Sequence, residues 1–268
     1  MTAAQQKRRL DTLLVDRGLA TSRTRARSMI LAGQVRLDNG VAAKAGTMLS
    51  TDADITLIKS DHPYVSRGGI KLAHVIAQLG VSASNRDALD IGASTGGFTD
   101  VLLRAGARRV VALDVGRGQL AWSLRQDPRV TVLDRVNARS LEAVPWPPGL
   151  TDFDLVTVDV AFISLTLIVP ALPPRLRPGG NILLLVKPQF EANRSEIGKG
   201  GIVKNPAVHA RAIKRVSTTV DRVGLKVVGT IAVSYTHLRA HETLRYLGFR
   251  VVLEKKKGGG GGGGGGGG

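Results

Sequence analysis

The sequence predicts an α/β protein in which a mostly parallel sheet, with helices on both faces, follows a small α+β module. Three observations support this prediction. Short apolar strands alternate with helical stretches from residue 87 onward. A glycine-rich loop joins the first of these strands to the helix after it. Residues 8–58 have a different pattern, with two short basic helices and a hairpin turn. The 268 residues are enough for a main domain and a small one.

The strong positive charge of the chain indicates a polyanionic partner. The formal net charge is +17, and nucleic acid is the first candidate for such an excess. The chain has no Cys, which excludes disulfides and thiolate metal sites, and its five His lack metal-binding spacing, so we expect no metal. No apolar run approaches the roughly 20 residues of a membrane helix, and the start MTAAQQKRRLD lacks the apolar stretch of a secretion signal. We therefore expect a cytoplasmic protein with no membrane association.

The N-terminal module is predicted to contain two helices, a hairpin and a short strand. Leucines at helical spacing in RRLDTLLVDRGL predict the first helix, and Ala26, Met29 and Ile30 predict the apolar face of the second. Asp-Asn-Gly at 38–40 is typical of a hairpin turn, and residues 55–58 predict the last strand. Arginines occupy the other face of the second helix. A solvated basic helix would show the same charges, so the charges alone do not decide whether this face binds a partner.

This module resembles the S4 RNA-binding domain. The resemblance rests on RLD, on the Ser-Arg-x-x-Ala-x-x-x-Ile-x-x-Gly-x-Val core and on the hairpin turn. It implies that a set of basic side chains lies against RNA phosphates, where contacts supply affinity and register but no sequence specificity. The set consists of Arg9, Arg23, Arg25, Arg27 and Lys44.

The second domain opens with a strand, a glycine loop and a helix. Residues 88–91 are the predicted strand, the loop reads G-A-S-T-G-G at 92–97, and apolar residues at helical spacing follow from Phe98. This order is typical of a Rossmann-like sheet. Further strands are predicted at 110–115, 130–134, 154–162, 182–188 and 226–233.

The glycine loop favours S-adenosylmethionine over a dinucleotide. A dinucleotide site uses GxGxxG to bind a pyrophosphate, whereas this loop has an acid two residues before its first glycine, which suits a cationic ligand. Close helix packing is the alternative explanation of Gly96 and Gly97. The candidate cofactor residues are Asp90, Gly92, Ser94 and Gly96 for the methionine end, Asp114 for the ribose, and Asp134, Asn137 and Ala138 in the turn at the adenine.

Polar residues end two of the predicted strands. Asp159 interrupts the apolar run LVTVDVAF, and Lys187 closes ILLLVKP. Ligands bind at the carboxyl ends of strands in such sheets, and a buried charge needs a partner. Lys71, in SRGGIKLAHVI, lies on a helix that enters the domain. Two lysines and an aspartate near one pocket can take a proton from a hydroxyl group. A structural ion pair between Asp159 and Lys187 is the alternative.

The chain resembles the TlyA family, also called hemolysin A, whose catalytic domain is similar to FtsJ-type ribose 2′-O-methyltransferases. The resemblance covers residues 5–232 and rests on SRGGIKL, DIGASTGGFTDVLL, VVALDVGRGQL, DLVTVDVAFISL and LLLVKPQFE in that order. It implies methyl transfer from S-adenosylmethionine to the 2′-hydroxyl of a cytidine in ribosomal RNA. The implied partners are ribosomal RNA or ribosomal subunits, with no obligate protein partner.

The resemblance also implies roles for individual residues. Lys71, Asp159 and Lys187 correspond to the first three members of the family's Lys-Asp-Lys-Glu tetrad, with Lys187 as the base and Lys71 positioning the substrate. The segment from His62 to Val65 corresponds to the part that the family links with cofactor binding and domain orientation. Two other functions stay open here, a membrane-active hemolysin and an RNA-binding assembly factor without activity. No segment able to enter a bilayer is visible in the sequence.

Four regions follow from these patterns: an S4-like domain at 5–61, a linker at 62–66, an FtsJ-like methyltransferase domain at 67–232 and a tail at 233–268. The family's fourth catalytic residue is a Glu in a late Gly-Asn-x-Glu segment, which this sequence lacks. Instead, VSYTHLRAHET matches the translation of a transposon-derived sequencing adapter. We therefore expect an adapter artefact without order at 233–268, in which His237, His241 and Glu242 have no function. We also expect the last strand and the fourth catalytic residue to be missing from a methyltransferase domain that is truncated at its C-terminus, so that the chain as written folds poorly or lacks activity.

Overall fold

Two folded units make up the described part of the chain, a small N-terminal unit and a larger one built on a sheet. The computed structural model describes residues 7–20, 22–31, 33–38, 40–42, 44–58, 62–234 and 247–255. Asn39 of the predicted hairpin turn and the tail residues His237, His241 and Glu242 lie outside these ranges.

The N-terminal unit packs two helices against short strands, as the sequence predicts. Its elements are, in chain order, β1 (Lys7–Arg9), α1 (Leu10–Asp16), α2 (Arg23–Leu31), β2 (Val35–Leu37), β3 (Gly40–Val41), β4 (Met48–Ser50) and β5 (Ile55–Leu57). β1 pairs with β4, and β2 lies between β3 and β5, all antiparallel. The unit has its own core, in which Leu10, Leu14, Ile30 and Val35 are buried. Its α+β architecture is therefore confirmed.

The larger unit is a seven-stranded sheet with helices on both faces. Its helices and strands are α3 (Gly68–Leu79), β6 (Asp87–Ile91), α4 (Gly97–Arg104), β7 (Arg109–Asp114), α5 (Trp122–Arg125), β8 (Val130–Asp134), β9 (Phe153–Val158), β10 (Leu176–Val186), α6 (Pro188–Glu191), α7 (Pro206–Arg222), β11 (Leu225–Ser234) and β12 (Leu247–Lys255). The strand order is β11-β12-β10-β9-β6-β7-β8. The run from β10 to β8 is parallel throughout, which confirms the predicted mostly parallel sheet.

Successive side chains of the central strands point to opposite faces of the sheet, so the core has two layers. In β7, Val110 packs with α3 and α4 on one face, and Val111 packs with α7 on the other. α7 begins after Asn205, whose side chain accepts a hydrogen bond from the backbone N–H of Ala207 at 2.9 Å. Helices cover both faces of the sheet, which leaves the carboxyl ends of its parallel strands as an accessible position for a ligand.

The strand that was predicted at 154–162 ends early. β9 stops at Val158, so Asp159 begins a loop instead of continuing the strand. Phe162 in this loop has a left-handed backbone with φ +65°, which a strand does not accommodate. The polar residue is therefore at the carboxyl end of the strand, where a ligand can reach it.

The segment Leu247–Lys255 differs from what was expected of the tail. It forms β12, which lies antiparallel between β10 and β11. The expectations of a tail without order and of a missing last strand therefore do not hold for these residues. The segment LGFRVVLEK contains Phe and two adjacent Val, which favour strands. Backbone groups on the facing sides of β10 and β11 also need partners. The adapter origin of the tail stays a prediction.

Candidate active site

The glycine loop, residues 92–96, leads from β6 into α4 at the carboxyl end of the sheet. Gly92 and Gly96 have φ values of +83° and +95°, a region that glycine adopts without strain. A Cβ on Gly92 would lie 2.6 Å from the carbonyl oxygen of Asp159. A Cβ on Gly96 would overlap Leu124, and one on Gly97 would overlap Ser66. Close packing, the alternative explanation of Gly96 and Gly97, is thus present as well.

Two carboxylates lie side by side at the ends of β7 and β8. Asp114 and Asp134 are register partners in the parallel pair. Asp114 accepts hydrogen bonds from the backbone N–H groups of Ser94 at 2.8 Å and Gly116 at 2.7 Å, which ties the glycine loop to β7. Asp134 accepts one from the Arg125 guanidinium at 2.8 Å. These contacts place an acidic edge next to the loop.

The other two candidates for the adenine lie in the turn after β8. Asn137 accepts a hydrogen bond through its side-chain oxygen from the backbone N–H of Arg139 at 3.0 Å. Ala138 is buried and packs into the core. The turn therefore follows the acidic edge directly, as its position in the sequence predicts.

Asp90 lies in β6, two residues before the first glycine of the loop. It is fully buried, and its two oxygens accept hydrogen bonds from the hydroxyls of Thr99 at 2.7 Å and Thr157 at 2.9 Å. Burial raises the pKa of Asp90 to about 6, with a further contribution from the charge of Asp159. A direct contact of Asp90 with the methionine end stays a prediction, and the contacts that the structure shows connect β6, α4 and β9.

The structure brings Asp159 and Lys187 together. They follow β9 and β10, which are neighbouring parallel strands. Nζ of Lys187 lies 2.5 Å from Oδ1 of Asp159 and donates to the carbonyl oxygen of Val160 at 2.9 Å. The backbone N–H of Asp159 donates to the carbonyl oxygen of Ile91 at 2.9 Å. The ion pair therefore exists, and it lies beside the start of the glycine loop. Its catalytic role stays a prediction, and a structural ion pair stays the alternative.

Lys71 lies near the start of α3, which packs against the start of α4. A Cβ on Gly97 would lie 2.9 Å from the backbone nitrogen of Gly69, so the two helix starts touch. Lys71 is half-buried and two residues beyond this contact. The packing places Lys71 at the end of α3 that adjoins the glycine loop, while its catalytic role stays a prediction.

The linker between the two units is bound to α4. The backbone N–H of Val65 donates to Oδ2 of Asp100 at 2.9 Å. Arg104 donates to the carbonyl oxygen of Pro63 at 2.9 Å and to Oδ1 of Asp100 at 2.8 Å. Because α4 begins where the glycine loop ends, the linker position and the loop position are coupled through one helix.

Comparison with known proteins assigns the chain to a family. A family model described as FtsJ-like methyltransferase matches residues 64–243, and a model of the S4 domain matches residues 8–55. The first match covers most of the chain and includes the glycine loop and the Asp159–Lys187 pair. The chain belongs to the FtsJ-like methyltransferase family. The predicted pairing of an S4 domain with this domain is confirmed.

Members of known name and structure resemble the chain over most of its length. A Mycobacterium tuberculosis protein named 16S/23S rRNA (cytidine-2′-O)-methyltransferase TlyA is 45% identical over 228 residues, which are 85% of this chain and 84% of that protein. A Bacillus subtilis protein named as an rRNA methyltransferase, YqxC, is 47% identical over 78% of this chain and 74% of its own. A solved Streptococcus thermophilus structure, named as a hemolysin, has 38% identity and a TM-score of 0.68 over 94% of this chain and 90% of its own.

Two aromatic residues beside the Asp159–Lys187 ion pair of this FtsJ-like domain were missed in the sequence. Phe162 is 92% exposed, and its ring centroid lies 5.4 Å from that of Phe190. Phe162 follows Asp159 by three residues, and Phe190 follows Lys187 by three. That repeated spacing was the available signal. The two loops that hold the ion pair therefore also present an aromatic surface.

Glu191 was also missed, and it joins the same two loops. It is only 5% exposed, and it accepts hydrogen bonds from the hydroxyl of Ser164 at 2.5 Å and the backbone N–H of Leu165 at 2.7 Å. Burial raises the pKa of Glu191. Because Glu191 follows Lys187 and Ser164 follows Asp159, these bonds hold together the two segments that carry the ion pair.

The basic residues predicted to face phosphates are all exposed on the N-terminal unit. Arg9 directly precedes α1, three arginines lie on α2, and Lys44 lies in the turn before β4. Arg9, Arg23 and Arg27 contact one buried carboxylate, that of Asp11. Arg25 lies on the same helix as Arg23 and Arg27 but does not share this contact.

In the described ranges of the chain, no helix is long and apolar enough to cross a membrane. No group of three or more His, Asp or Glu side chains in the same ranges is placed to hold a metal ion.

Proposed function

We propose that this protein transfers the methyl group of S-adenosylmethionine to the 2′-hydroxyl of a cytidine ribose in ribosomal RNA. The observation that carries the proposal is the Asp159–Lys187 ion pair beside the glycine loop at the carboxyl end of the sheet. The name of the Mycobacterium tuberculosis relative states this reaction for that protein, and 45% identity supports it here. Ribosomal RNA and ribosomal subunits are in the cytoplasm, so we expect the protein to act there.

The residues around the glycine loop fit S-adenosylmethionine. Two adjacent carboxylates, Asp114 and Asp134, would repel a pyrophosphate, but they can accept hydrogen bonds from ribose hydroxyls and from an adenine amino group. The missing Cβ atoms at Gly92 and Gly96 let the loop backbone pack closely against Asp159 and Leu124, which places the loop beside the ion pair. When bound, S-adenosylmethionine supplies an electrophilic methyl group. Asp90 supports this site through its hydrogen bonds with two threonines.

The individual cofactor contacts follow from the positions of the candidate residues. Gly92, Ser94 and Gly96 would surround the methionine end, since they form the loop between β6 and α4. Asp114 would bind the ribose. The turn that contains Asp134, Asn137 and Ala138 would lie at the adenine.

Lys187 and Asp159 would act on the ribose hydroxyl. Lys187 would act through its neutral amine, which the nearby cation of Lys71 and partial burial favour. As the methyl group leaves the sulfonium for the ribose oxygen, this amine takes the hydroxyl proton, and Asp159, whose oxygen is 2.5 Å away, orients the amine and stabilises the ammonium that forms. The carbonyl oxygen of Val160 accepts a second hydrogen bond from the amine and so limits its orientation. Lys71 would help to position the substrate. Each side chain of the ion pair is only 18% exposed, so water competes little for the proton.

The aromatic surface next to the ion pair supports a nucleotide substrate. Enzymes that act on single nucleotides hold unstacked bases against aromatic side chains. Phe162 offers such a ring three residues after Asp159, and Phe190 lies behind it. Because a base and its 2′-hydroxyl belong to the same nucleotide, a base stacked there would place its ribose near Lys187.

The N-terminal unit would bind the RNA backbone. Arg9, Arg23, Arg25, Arg27 and Lys44 are exposed on one small unit, and phosphate contacts of this kind account for most of the affinity of such proteins. The overall charge of +17 supports a large polyanion. The substrate would thus be held by phosphates at one unit and by its base and ribose at the other.

A methyl-transfer assay tests the proposal. Purified full chain is incubated with labelled S-adenosylmethionine and either deproteinised ribosomal RNA or ribosomal subunits, and the modified nucleoside is identified. Lys187→Ala should lower the rate by about 100-fold or more, since a positioned base contributes on the order of 10²–10⁴. Lys204→Ala, which removes an exposed lysine away from the ion pair, is the matched control and should keep the wild-type rate.

Two outcomes would contradict the proposal. Undiminished transfer by Lys187→Ala would remove this lysine from the chemistry. No transfer by the wild-type protein, combined with lysis of red cells, would instead favour a membrane-active protein.

A further inference from the structure

The N-terminal unit contains a buried carboxylate that three arginines share. Asp11 in α1 has no exposed surface. Arg9 binds it through two nitrogens, at 2.9 Å and 3.0 Å, while Arg27 and Arg23 each bind it through one, at 3.1 Å and 3.3 Å. The backbone N–H of Asp11 also donates to the carbonyl oxygen of Ala45 at 3.0 Å, in the turn that contains Lys44. One carboxylate therefore gathers basic residues that are far apart in the sequence.

The three arginines are held by Asp11 but not buried with it. Their side chains are 43%, 53% and 53% exposed for Arg9, Arg23 and Arg27. Each guanidinium has five N–H donors, and the contacts with Asp11 use two from Arg9 and one each from the other two. Each guanidinium therefore keeps donors for another anion.

We propose that Asp11 is a positioning residue for RNA binding. Asp11 holds the guanidinium groups of Arg9, Arg23 and Arg27 in one pre-ordered cluster that faces the RNA phosphates. This inference rests on the proposed function of the N-terminal unit. A free arginine side chain loses rotamer entropy when it binds a phosphate. Side chains already ordered by Asp11 lose less, so the same contacts give higher affinity.

Asp11 stays negatively charged, as this role requires. Hydrogen bonds from Arg9, with those from Arg27 and Arg23, hold the pKa of Asp11 well below its usual range, so it stays ionised at every physiological pH. With three cations on one anion, the cluster keeps two positive charges for RNA. The turn next to Arg9 leaves room for it, since a Cβ on Gly46 would lie 3.1 Å from its guanidinium.

The direction in which one substitution changes the affinity for RNA distinguishes this role from a purely electrostatic one. Removing a negative charge from an RNA-binding surface should strengthen binding if charge alone decides affinity. If Asp11 orders the arginines, Asp11→Asn should weaken binding instead. Asp16→Asn is the matched control, because Asp16 lies on the same helix and pairs with one arginine, Arg8, but is 41% exposed.

The experiment measures binding and catalysis on the full chain. Fluorescence anisotropy with a labelled RNA hairpin should show Asp11→Asn binding about tenfold more weakly, equal to the ordering cost of one or two side chains. Asp16→Asn should bind as tightly as wild type or more tightly. In the methyl-transfer assay, Asp11→Asn should raise KM for ribosomal RNA and leave kcat unchanged. Equal or tighter binding by Asp11→Asn, or a fall in kcat at unchanged KM, would overturn the inference.

Failure of the proposed function can be distinguished from failure of the inference about Asp11. A wild-type chain that binds the hairpin but transfers no methyl group would refute the function and leave the binding comparison intact. If Asp11→Asn fails to fold by circular dichroism, Arg27→Lys and Arg25→Lys replace it. Both keep the charge, but only Arg27 contacts Asp11, so Arg27→Lys should weaken hairpin binding severalfold more than Arg25→Lys. Equal effects of the two would overturn the inference.

Discussion

Replacing Gly92 by alanine should damage the active site as well as the fold. At φ +83° an L-residue is strained by about 1–2 kcal/mol. The new Cβ would also lie 2.6 Å from the carbonyl oxygen of Asp159 and 2.9 Å from its carbonyl carbon. Overpacking of this kind costs about 1–3 kcal/mol, so we expect Gly92→Ala to lower the free energy of unfolding by roughly 2–5 kcal/mol.

The same overlap should reduce the rate of methyl transfer. The atoms that would be pushed away belong to the backbone of Asp159, so relief of the overlap moves this residue relative to Lys187 and the cofactor loop. A displacement of about 1 Å at a catalytic group can cost on the order of 100-fold in rate. Initial rates with ribosomal RNA measure this effect, and urea unfolding measures the loss of stability.

Gly224→Ala is the control that isolates the overlap. Gly224 has φ +77°, close to that of Gly92, but a Cβ there would meet nothing within 4 Å. This variant should show the backbone strain alone and keep its activity. If Gly92→Ala is as stable as Gly224→Ala and transfers methyl groups at the wild-type rate, the close approach of the loop to Asp159 has no consequence, and the reasoning is refuted.

Two further predictions concern Phe162 and Asp90. Phe162→Ala should raise KM for ribosomal RNA about tenfold, since stacking on a base contributes about 1–3 kcal/mol, and should leave the free energy of unfolding unchanged because the ring is 92% exposed. A wild-type KM would argue against stacking there. Asp90→Asn should stabilise the protein more at pH 8 than at pH 5. Burial raises the pKa of Asp90 to about 6 in the folded state, above its unfolded value of about 3.9, so the wild-type carboxyl loses stability as the pH rises towards and through 6. Urea unfolding at both pH values measures the free energy of unfolding of Asp90→Asn relative to wild type. This relative stability should rise by about 1–2 kcal/mol from pH 5 to pH 8, and a value independent of pH would contradict the assignment.

The sequence predicted that Asp159 and Lys187 lie near each other, because the cause of their meeting is general. Parallel strands present their carboxyl ends at one edge of the sheet, so polar residues that end two such strands meet if the strands are neighbours. Asp159 and Lys187 satisfy this condition, since β9 and β10 are adjacent. The same reasoning placed Asp114 and Asp134 at one edge, where they are register partners.

Asp90 and Phe162 show where the pattern of residues was insufficient. β6 is buried on both faces, so no alternation of polar and apolar residues reveals which way Asp90 points. Phe162 belongs to an apolar run that predicts a strand, yet the strand ends at Val158 and the loop exposes the ring. In both cases the direction of the side chain depends on the packing of other elements.

By itself, the sequence determined the features whose causes are local along the chain. These are the glycine loop, the apolar helix faces, the strand order along the chain and the positive charge. Only the tertiary structure decided which distant residues meet: Lys187 with Asp159, Arg27 with Asp11, and β12 between β10 and β11. Local conformation follows from backbone sterics and residue spacing, whereas these pairings exist only once the sheet and the cores of both units have assembled.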